Sequence, residues 1–566
     1  MFSFRASRLY WLLPVTILAI SMAPPASGSD RSTTSKASGP HAGPQVAGLI
    51  YRIISNEWQT RSTMQQYSPR IETYLQYYRP DPMLGDVPTA DSYFLGRLKF
   101  SSEVINRAKE ASFLPEAPVG RVLRHARMLR EGLHPDEIAL ESLVVDERNF
   151  DSKHYAFEPV RWEYLGDVRC LAIDIHPLDP KSPGAFKGRI WVEDQNYAIV
   201  RLNGTRLNAP LLDSYVHFDC WRENLRPGVW LPVYIYSQES DRGNLRYKSQ
   251  SRLWGYDLAA RREQQEWTNI LVDASTPVRD NTEDTPDLSP LDGQRQLAID
   301  AERNVLDRLE KARLIAPPGP VDKVLETVVN NLIVTNHLGC LPPIHCRVML
   351  TSTLESFSLA YTIVLSRGLI DVLPDEASLA MILAHELAHI ALVQRVDAKF
   401  AFNDRLQFSD EDLLSVLDVA RNPADEAGAD AKGVEFLQNS PYKDKLSQVG
   451  LFLRAAVDAA PHLPHLFGPH LGNGLTEGKS KMLRMEDLVI GAPALRPLDV
   501  DQIAALPLGS RVQVNAWDGS AYFPSRKAEP LINASEKMPF RLAPTVPHLK
   551  VHFPGGEAAL SARLAP

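Results

Sequence analysis

At 566 residues, with 44% hydrophobic and 23% charged side chains, the chain has the composition of a globular protein and is too long for one ordinary core. Its net charge of −8 gives no electrostatic reason to expect nucleic acid as a partner.

The N-terminus reads as a cleaved export signal. Arg5 and Arg8 precede an apolar run from Leu9 to Ala23 that is interrupted by Pro14 and short for a membrane span. Small residues Ala26-Ser27-Gly28 follow, so residues 1–28 are assigned to a signal peptide and a mature chain is expected to start near Ser29. No cysteine stands there for lipid attachment, and no later run is apolar and long enough to cross a bilayer. The expected location is therefore the periplasm or the exterior. Export would place Cys170, Cys220, Cys340 and Cys346 in an oxidising compartment. They fall two and two, which suggests Cys170–Cys220 and Cys340–Cys346 bridges; the alternative is four buried thiols.

Residues 29–45 are rich in Ser, Gly and Pro and read as disordered. A first domain is expected over 46–270. It opens with a short helix near Val46–Ser55, passes a mixed region beyond Phe94–Ser101 and has helical patterning at Gly120–Glu131. From Phe157 the hydrophobic period changes to two. Arg161–Tyr164, Val168–Ile175, Gly188–Glu193, Tyr197–Leu202, Ser214–Arg222, Val229–Gln238 and Leu245–Tyr256 all read as strands. Asp194-Gln195-Asn196 between two of them is a hairpin signal. Such a run of hairpins predicts a curved antiparallel sheet. Over residues 150–258 the pattern is similar to the lipoprotein-carrier (LolA-like) half-barrels. That resemblance implies a concave apolar face for a lipid or lipidated protein; an ordinary packed interior is the alternative.

Residues 271–292 are acidic, carry Pro and Ser without an apolar period, and read as a linker open to proteolysis between Val272 and Gln294. A second domain follows over 293–488, with helices at Glu302–Leu314 and Val321–Thr335 and strands at Arg347–Ser352 and Ala360–Leu365. This predicts an α+β chain: an antiparallel β-domain, then a mainly α domain whose short sheet offers an edge to an extended peptide. Residues 489–566 are Pro-rich, with a small hairpin at Arg511–Phe523.

The chemistry is concentrated at His385-Glu386-Leu387-Ala388-His389, an H-E-x-x-H inside an apolar run free of Gly and Pro from Ala377 to Leu392. Positions i and i+4 share a helix face, so two imidazoles can converge on one Zn²⁺, with Glu386 beside them as general base. Asp375 and Glu376 suit the helix N-terminus. Downstream, Asp425-Glu426-Ala427-Gly428-Ala429-Asp430 offers Glu426 as third ligand and Asp430, one turn on, as acceptor for the free ring N–H of a ligand histidine. Glu435 and Asp418 are the next candidates for third ligand.

Ser366-Arg367-Gly368-Leu369-Ile370, Asp375-Glu376, the H-E-x-x-H and Glu426-x-x-Ala429-Asp430 together resemble the metallopeptidase family of the CAAX prenyl proteases and HtpX-like proteases, a gluzincin type. The resemblance covers residues 320–485. It implies zinc held by His385, His389 and Glu426, with Glu386 as the base. The chain departs from that family in having Glu355-Ser356-Phe357-Ser358 where N-A-F-A and paired glycines are usual, and in a short interval from His389 to Glu426.

His462, His465 and His470 follow the third ligand; one of them as an extra zinc ligand is set against three solvent-facing loop histidines. Tyr442 and Lys443 are the candidates to stabilise an oxyanion. The function expected is a zinc-dependent endopeptidase acting on envelope proteins or peptides, misfolded proteins and lipoproteins among them. The alternative is a lipid- or lipoprotein-binding carrier or chaperone with an accessory zincin domain.

Overall fold

The computed structural model describes residues 44–98, 143–256, 290–394, 421–467 and parts of 476–539, with short gaps inside these stretches. The expected signal peptide, the stretch 29–43, the Gly120–Glu131 helix and most of the linker lie outside the described residues, as do Cys340, Asp418 and His470.

The first half is a nine-stranded antiparallel sheet. In chain order its strands are β1 (Arg70–Asp81), β2 (Gly85–Arg97), β3 (Tyr155–Leu165), β4 (Val168–Pro177), β5 (Phe186–Glu193), β6 (Ile199–Arg206), β7 (Ser214–Arg226), β8 (Val229–Asp241) and β9 (Asn244–Trp254). Strands β3 to β9 form a meander, and the β1–β2 hairpin adds to β9, giving the order β2-β1-β9-β8-β7-β6-β5-β4-β3. The expected hairpin at Asp194–Asn196 is present. The Glu193 carboxylate ties it by accepting the amide N–H groups of Gln195 (2.8 Å), Asn196 (2.6 Å) and Ala198 (3.2 Å).

Alternation sorts the side chains to two faces. Leu171, Ile173, Ile190, Leu202, Phe218 and Ile235 share one face and form a core with Ile53 and Met64 of helix α1 (Pro44–Met64). A buried ion pair pins that helix: Arg222 Nη1 and Nη2 donate to Glu57 at 2.6 and 2.8 Å. Among the described residues, that face is packed by helix α1. On the other face Cys170, Ala172, Trp191 and Val200 form a smaller cluster.

This arrangement corrects one disulfide. Cys170 on β4 and Cys220 on β7 are free and buried, lie in different clusters on opposite faces, and stand three strands apart, about 14 Å. A bridge needs Cα atoms within about 7 Å. Burial pushes both thiols up to about 12. Cys346 is likewise free and buried, so the expected Cys340–Cys346 bridge is corrected too.

The second half is mainly helical: α2 (Pro290–Lys311), α3 (Pro320–Thr335), α4 (Arg367–Val372), α5 (Glu376–Ala391), α6 (Pro423–Gln438), α7 (Leu446–Ala459) and α8 (Glu486–Ile490). It carries a three-stranded sheet in which β12 (Thr362–Ser366) lies between β10 (His345–Met349) and β11 (Ser356–Leu359). The C-terminal hairpin is present as Gln513–Val514 paired with Ala521–Tyr522.

Residues Gly48–Pro566 form one compact unit, because β1, β2 and β9 are built into the core of the helical half. Tyr74, Tyr93, Leu95 and Trp254 belong to the same apolar cluster as Leu350, Leu354 and Leu383. Polar groups of the sheet complete the contact. Glu72, 1% exposed, accepts from Ser352 Oγ (2.7 Å), Tyr93 (2.8 Å) and Ser352 N, with Arg367 at 3.4 Å. Arg70 Nε donates to Ala312 O at 2.7 Å and Trp254 Nε1 to Arg313 O at 2.7 Å. A protease cut between Val272 and Gln294 is therefore expected to leave two fragments that co-elute in gel filtration. Fragments that separate without denaturant would contradict this contact.

Candidate metal centre

Helix α5 carries His385, Glu386 and His389. Its start is set by Asp375, whose side chain accepts the Ser378 amide at 2.8 Å, and by Glu376 in the first turn. Beyond that the helix is apolar nearly all round, and every residue from Ala377 to Ile390 except Leu379 is buried. A helix with no polar face belongs inside a protein. His385, Glu386 and His389 are consequently buried polar groups in a core and require partners.

Helix α6 supplies them. Pro423 occupies its first turn and Asn422 caps it, accepting from the Asp425 amide at 2.8 Å. It packs on α5 through small residues: a Cβ on Gly433 would stand 3.3 Å from the backbone N of His385. Glu426 and Asp430, on the same face, then point at the two histidines. His385 Nε2 lies 3.0 Å from His389 Nε2 and 3.3 Å from Glu426 Oε2, and His389 Nε2 lies 3.8 Å from that oxygen. Ligand atoms on a tetrahedral zinc are about 3.3–3.6 Å apart, given bonds of about 2.0–2.2 Å. The observed separations bracket that value, and the donor set of two imidazoles and a carboxylate suits the ion. No other group of His, Cys, Asp and Glu close enough to hold a metal occurs among the described residues.

The distal ring nitrogens are also placed. His385 Nδ1 lies 2.8 Å from Asp430 Oδ1, and His389 Nδ1 lies 2.7 Å from Gln394 Oε1. Each contact orients a ring with Nε2 toward the shared centre. Glu386 Oε1 accepts from the Ser356 hydroxyl at 2.8 Å, while its Oε2 is buried without a hydrogen bond. Burial would raise the Glu386 carboxyl. The charges of His385, His389 and Arg421 and the Ser356 hydrogen bond outweigh it and hold the group below its ordinary value.

Strand β11 borders the centre. Ser366 N donates to Glu355 O, so Phe357 and Leu359 also point their backbone groups at β12. Ser356 and Ser358 therefore direct theirs to the outer edge, which no other strand covers among the described residues. That edge ends upstream at Leu354, whose amide donates to Leu466 O at 2.6 Å. The quoted Ser366–Ile370 motif has a packing reason: a Cβ on Gly368 would fall 2.0 Å from Ser352 O.

Sequence reasoning did not single out Gln394, Ser356 or Arg421 for these contacts. Gln394 lies beyond the helix and fits no ligand pattern. The serines were signalled by the departure from N-A-F-A. Two other expectations are corrected. The Tyr442 hydroxyl bonds Glu376 (2.8 Å) and Asn331 (3.1 Å) at the opposite end of α5, ten residues or about 15 Å from Glu386, and Lys443 is exposed nearby. Neither faces the reacting centre. Glu435 is turned to solvent and bonds Lys432 at 2.8 Å. His462 is exposed. His465 is neither a ligand nor a free loop residue: its Nδ1 lies 2.9 Å from Asp91 Oδ1 on β2, and that bond raises it above the usual histidine value.

Glu355, beside this edge, gives a pH-dependent expectation. It is fully buried next to Glu72, Oε1 accepts from Thr353 at 2.9 Å, and Oε2 has no partner. Burial raises its carboxyl from 4.5 to about 7. A raised acid contributes stability fully below 4.5 that is lost as pH rises through about 7. Glu355→Gln removes this loss. Above pH ~7 it should stabilise the protein by up to about 3 kcal/mol and flatten the fall of Tm with pH. A variant that melts lower than the parent at pH ~8 would show the carboxylate to be stabilising there.

The buried H-E-x-x-H helix, with a carboxylate from a second helix beside it, has the arrangement of a gluzincin-type metal site. Residues 322–400 match the model of Peptidase family M48, a family of zinc metallopeptidases. The match contains the two histidines and Glu386 and ends before Glu426. No curated protein matches the chain. Among solved structures, one similar chain is a DUF1329 family protein from Desulfovibrio piger, 11% identical with a TM-score of 0.20, covering 38% of this chain and 93% of that one. At that level it assigns nothing to the sheet.

Proposed function

We propose that the protein is a zinc-dependent endopeptidase that cleaves proteins or peptides in the cell envelope. One observation carries the reading: Glu386 Oε2 is a buried carboxylate oxygen without a partner, beside three converging ligand atoms. Such an orphan is costly unless a reacting group arrives to use it. Zinc held by His385, His389 and Glu426 would supply Lewis-acid chemistry, polarising the scissile carbonyl and making water nucleophilic near neutral pH. Glu386 Oε2 takes the proton from the attacking water and returns it to the leaving amine. The Ser356 hydroxyl holds Oε1 and so aims Oε2. Asp430 and Gln394 keep both imidazoles in register. An extended peptide adds to the β11 edge through the backbone groups of Ser356 and Ser358, which brings its carbonyl over the centre.

No helix among the described residues is long and apolar enough to cross a membrane. Location in the envelope rests on the N-terminal signal pattern. A mature N-terminus near Ser29 in protein from the native host supports it, and an intact Met1 overturns it. Helix α1 packed on the sheet favours a supporting part for that domain over lipid carriage. Digestion of casein followed by mass analysis tests the activity. Internal fragments are expected; single residues released stepwise from one end would make it an exopeptidase.

A further inference from the structure

Several buried or part-buried arginines among the described residues meet a carboxylate: Arg222 with Glu57, Arg201 with Asp219, Arg367 with Glu72 and Arg347 with Glu310. Arg421 does not. Its Nη2 donates to Ser358 O (3.0 Å), Ser358 Oγ (3.1 Å) and Gln394 O (3.4 Å), all neutral acceptors. Its Nε is buried with no hydrogen bond. Arg454 also bonds only carbonyls, those of Val489 and Ala492, but they close helix α8, where a cation is at home. No helix end explains Arg421.

We propose that Arg421 is a specificity residue, binding a carboxylate carried by the peptide that lies along β11. The proposal rests on the peptidase reading above. Ser358 O is one of the outward acceptors of the outer edge, and Arg421 already occupies it. A peptide strand added to that edge runs one strand spacing away, about 4.8 Å, and so meets the guanidinium. A neutral peptide must compete with Arg421 for Ser358 O and offers the guanidinium no charged acceptor of its own. A carboxylate turns the same encounter into a charge-assisted pair with the guanidinium fork, whose Nε donor is still unused. The carboxylate comes either from an Asp or Glu side chain or from the peptide's C-terminus. Ser358 lies two residues along β11 from Ser356, whose hydroxyl reaches Glu386 Oε1 at 2.8 Å, so Arg421 stands beside the reacting centre.

The test uses zinc-loaded full-length Glu386→Gln protein, alone and combined with Arg421→Gln, Arg421→Lys or Arg421→Glu. Five labelled peptides are compared by fluorescence anisotropy: a neutral C-terminal amide, its Asp, Asn and Lys versions, and the neutral peptide with a free C-terminus. Zinc content of each variant checks folding. The Asp or the free-carboxylate peptide should bind about ten-fold or more tighter than its neutral counterpart, and which of the two does so names the source. The preference should vanish in Arg421→Gln, weaken in Arg421→Lys and turn toward the Lys peptide in Arg421→Glu. With Glu386 intact, Arg421→Gln should raise KM for the preferred peptide by a similar factor and change kcat by a few-fold at most. Equal affinities for all five peptides overturn the assignment and leave the peptidase reading standing. A uniform fall in kcat at constant KM also overturns it, because Arg421 would then act on the reaction itself. No binding of any peptide, together with no casein hydrolysis by the parent, overturns both.

Discussion

Replacing Glu386 by glutamine is expected to lower proteolysis by about two orders of magnitude or more, the usual scale for a general acid–base, at unchanged zinc content. The geometry separates these two effects. Glu386 is no member of the His385, His389 and Glu426 cluster, so the ligands are untouched. Glutamine keeps the side-chain length, and its carbonyl can still accept the Ser356 hydroxyl that now reaches Oε1 at 2.8 Å. What it lacks is a second oxygen able to take a proton. Tm should stay near that of the parent, since glutamine keeps the size of the side chain and its bond to Ser356. A variant that cleaves casein as fast as the parent would exclude Glu386 as the base.

The second large effect concerns the ligands and their supports. Glu426→Ala, His385→Ala or His389→Ala should each nearly abolish zinc binding, since three protein ligands leave none to spare. Asp430→Ala should cost less, about ten- to a hundred-fold in zinc affinity, because it removes a contact to His385 Nδ1 and leaves every ligand atom in place. Gln394→Ala should fall in the same range through His389. Zinc titration with a competing chelator measures both sets. Full occupancy in Glu426→Ala would remove it from the set. Glu435 would not replace it, being turned to solvent and bonded to Lys432.

The metal helix was legible because its chemistry is local. H-E-x-x-H fixes its own geometry through the helical repeat, and Glu426 and Asp430 repeat the i, i+4 spacing on the facing helix. Strands β3 to β9 were legible too, since apolar residues alternate along most of them. Strands β1 and β2 were not. In β1, Ile71 faces the sheet core, but the alternate residues Arg70, Glu72, Tyr74 and Gln76 are also buried, against the helical half. Thr73 on the face of Ile71 and Tyr74 on the face of Glu72 break the apolar–polar alternation, so no two-residue period runs the length of the strand. The union of the two halves was hidden as well, because Glu72, Asp91 and Trp254 are ordinary residues until their partners Ser352, His465 and Arg313 are known. Helix α1 was read as ending at Ser55 but runs to Met64, held by Ile53, Met64 and the Glu57–Arg222 pair. The Cys170–Cys220 expectation failed because pairing by position along the chain carries no information about which face of a sheet each thiol occupies.

The central claim is that a zinc ion at His385, His389 and Glu426 drives peptide hydrolysis by this chain. It is tested most directly by measuring zinc per chain and casein hydrolysis in one preparation of the full-length protein, before chelation, after chelation and after zinc is restored. The account predicts about one zinc per chain, in line with the single ligand cluster among the described residues, and hydrolysis that disappears and returns with the metal. Hydrolysis that persists without zinc, or a fully zinc-loaded protein that cleaves no protein or peptide, would contradict it.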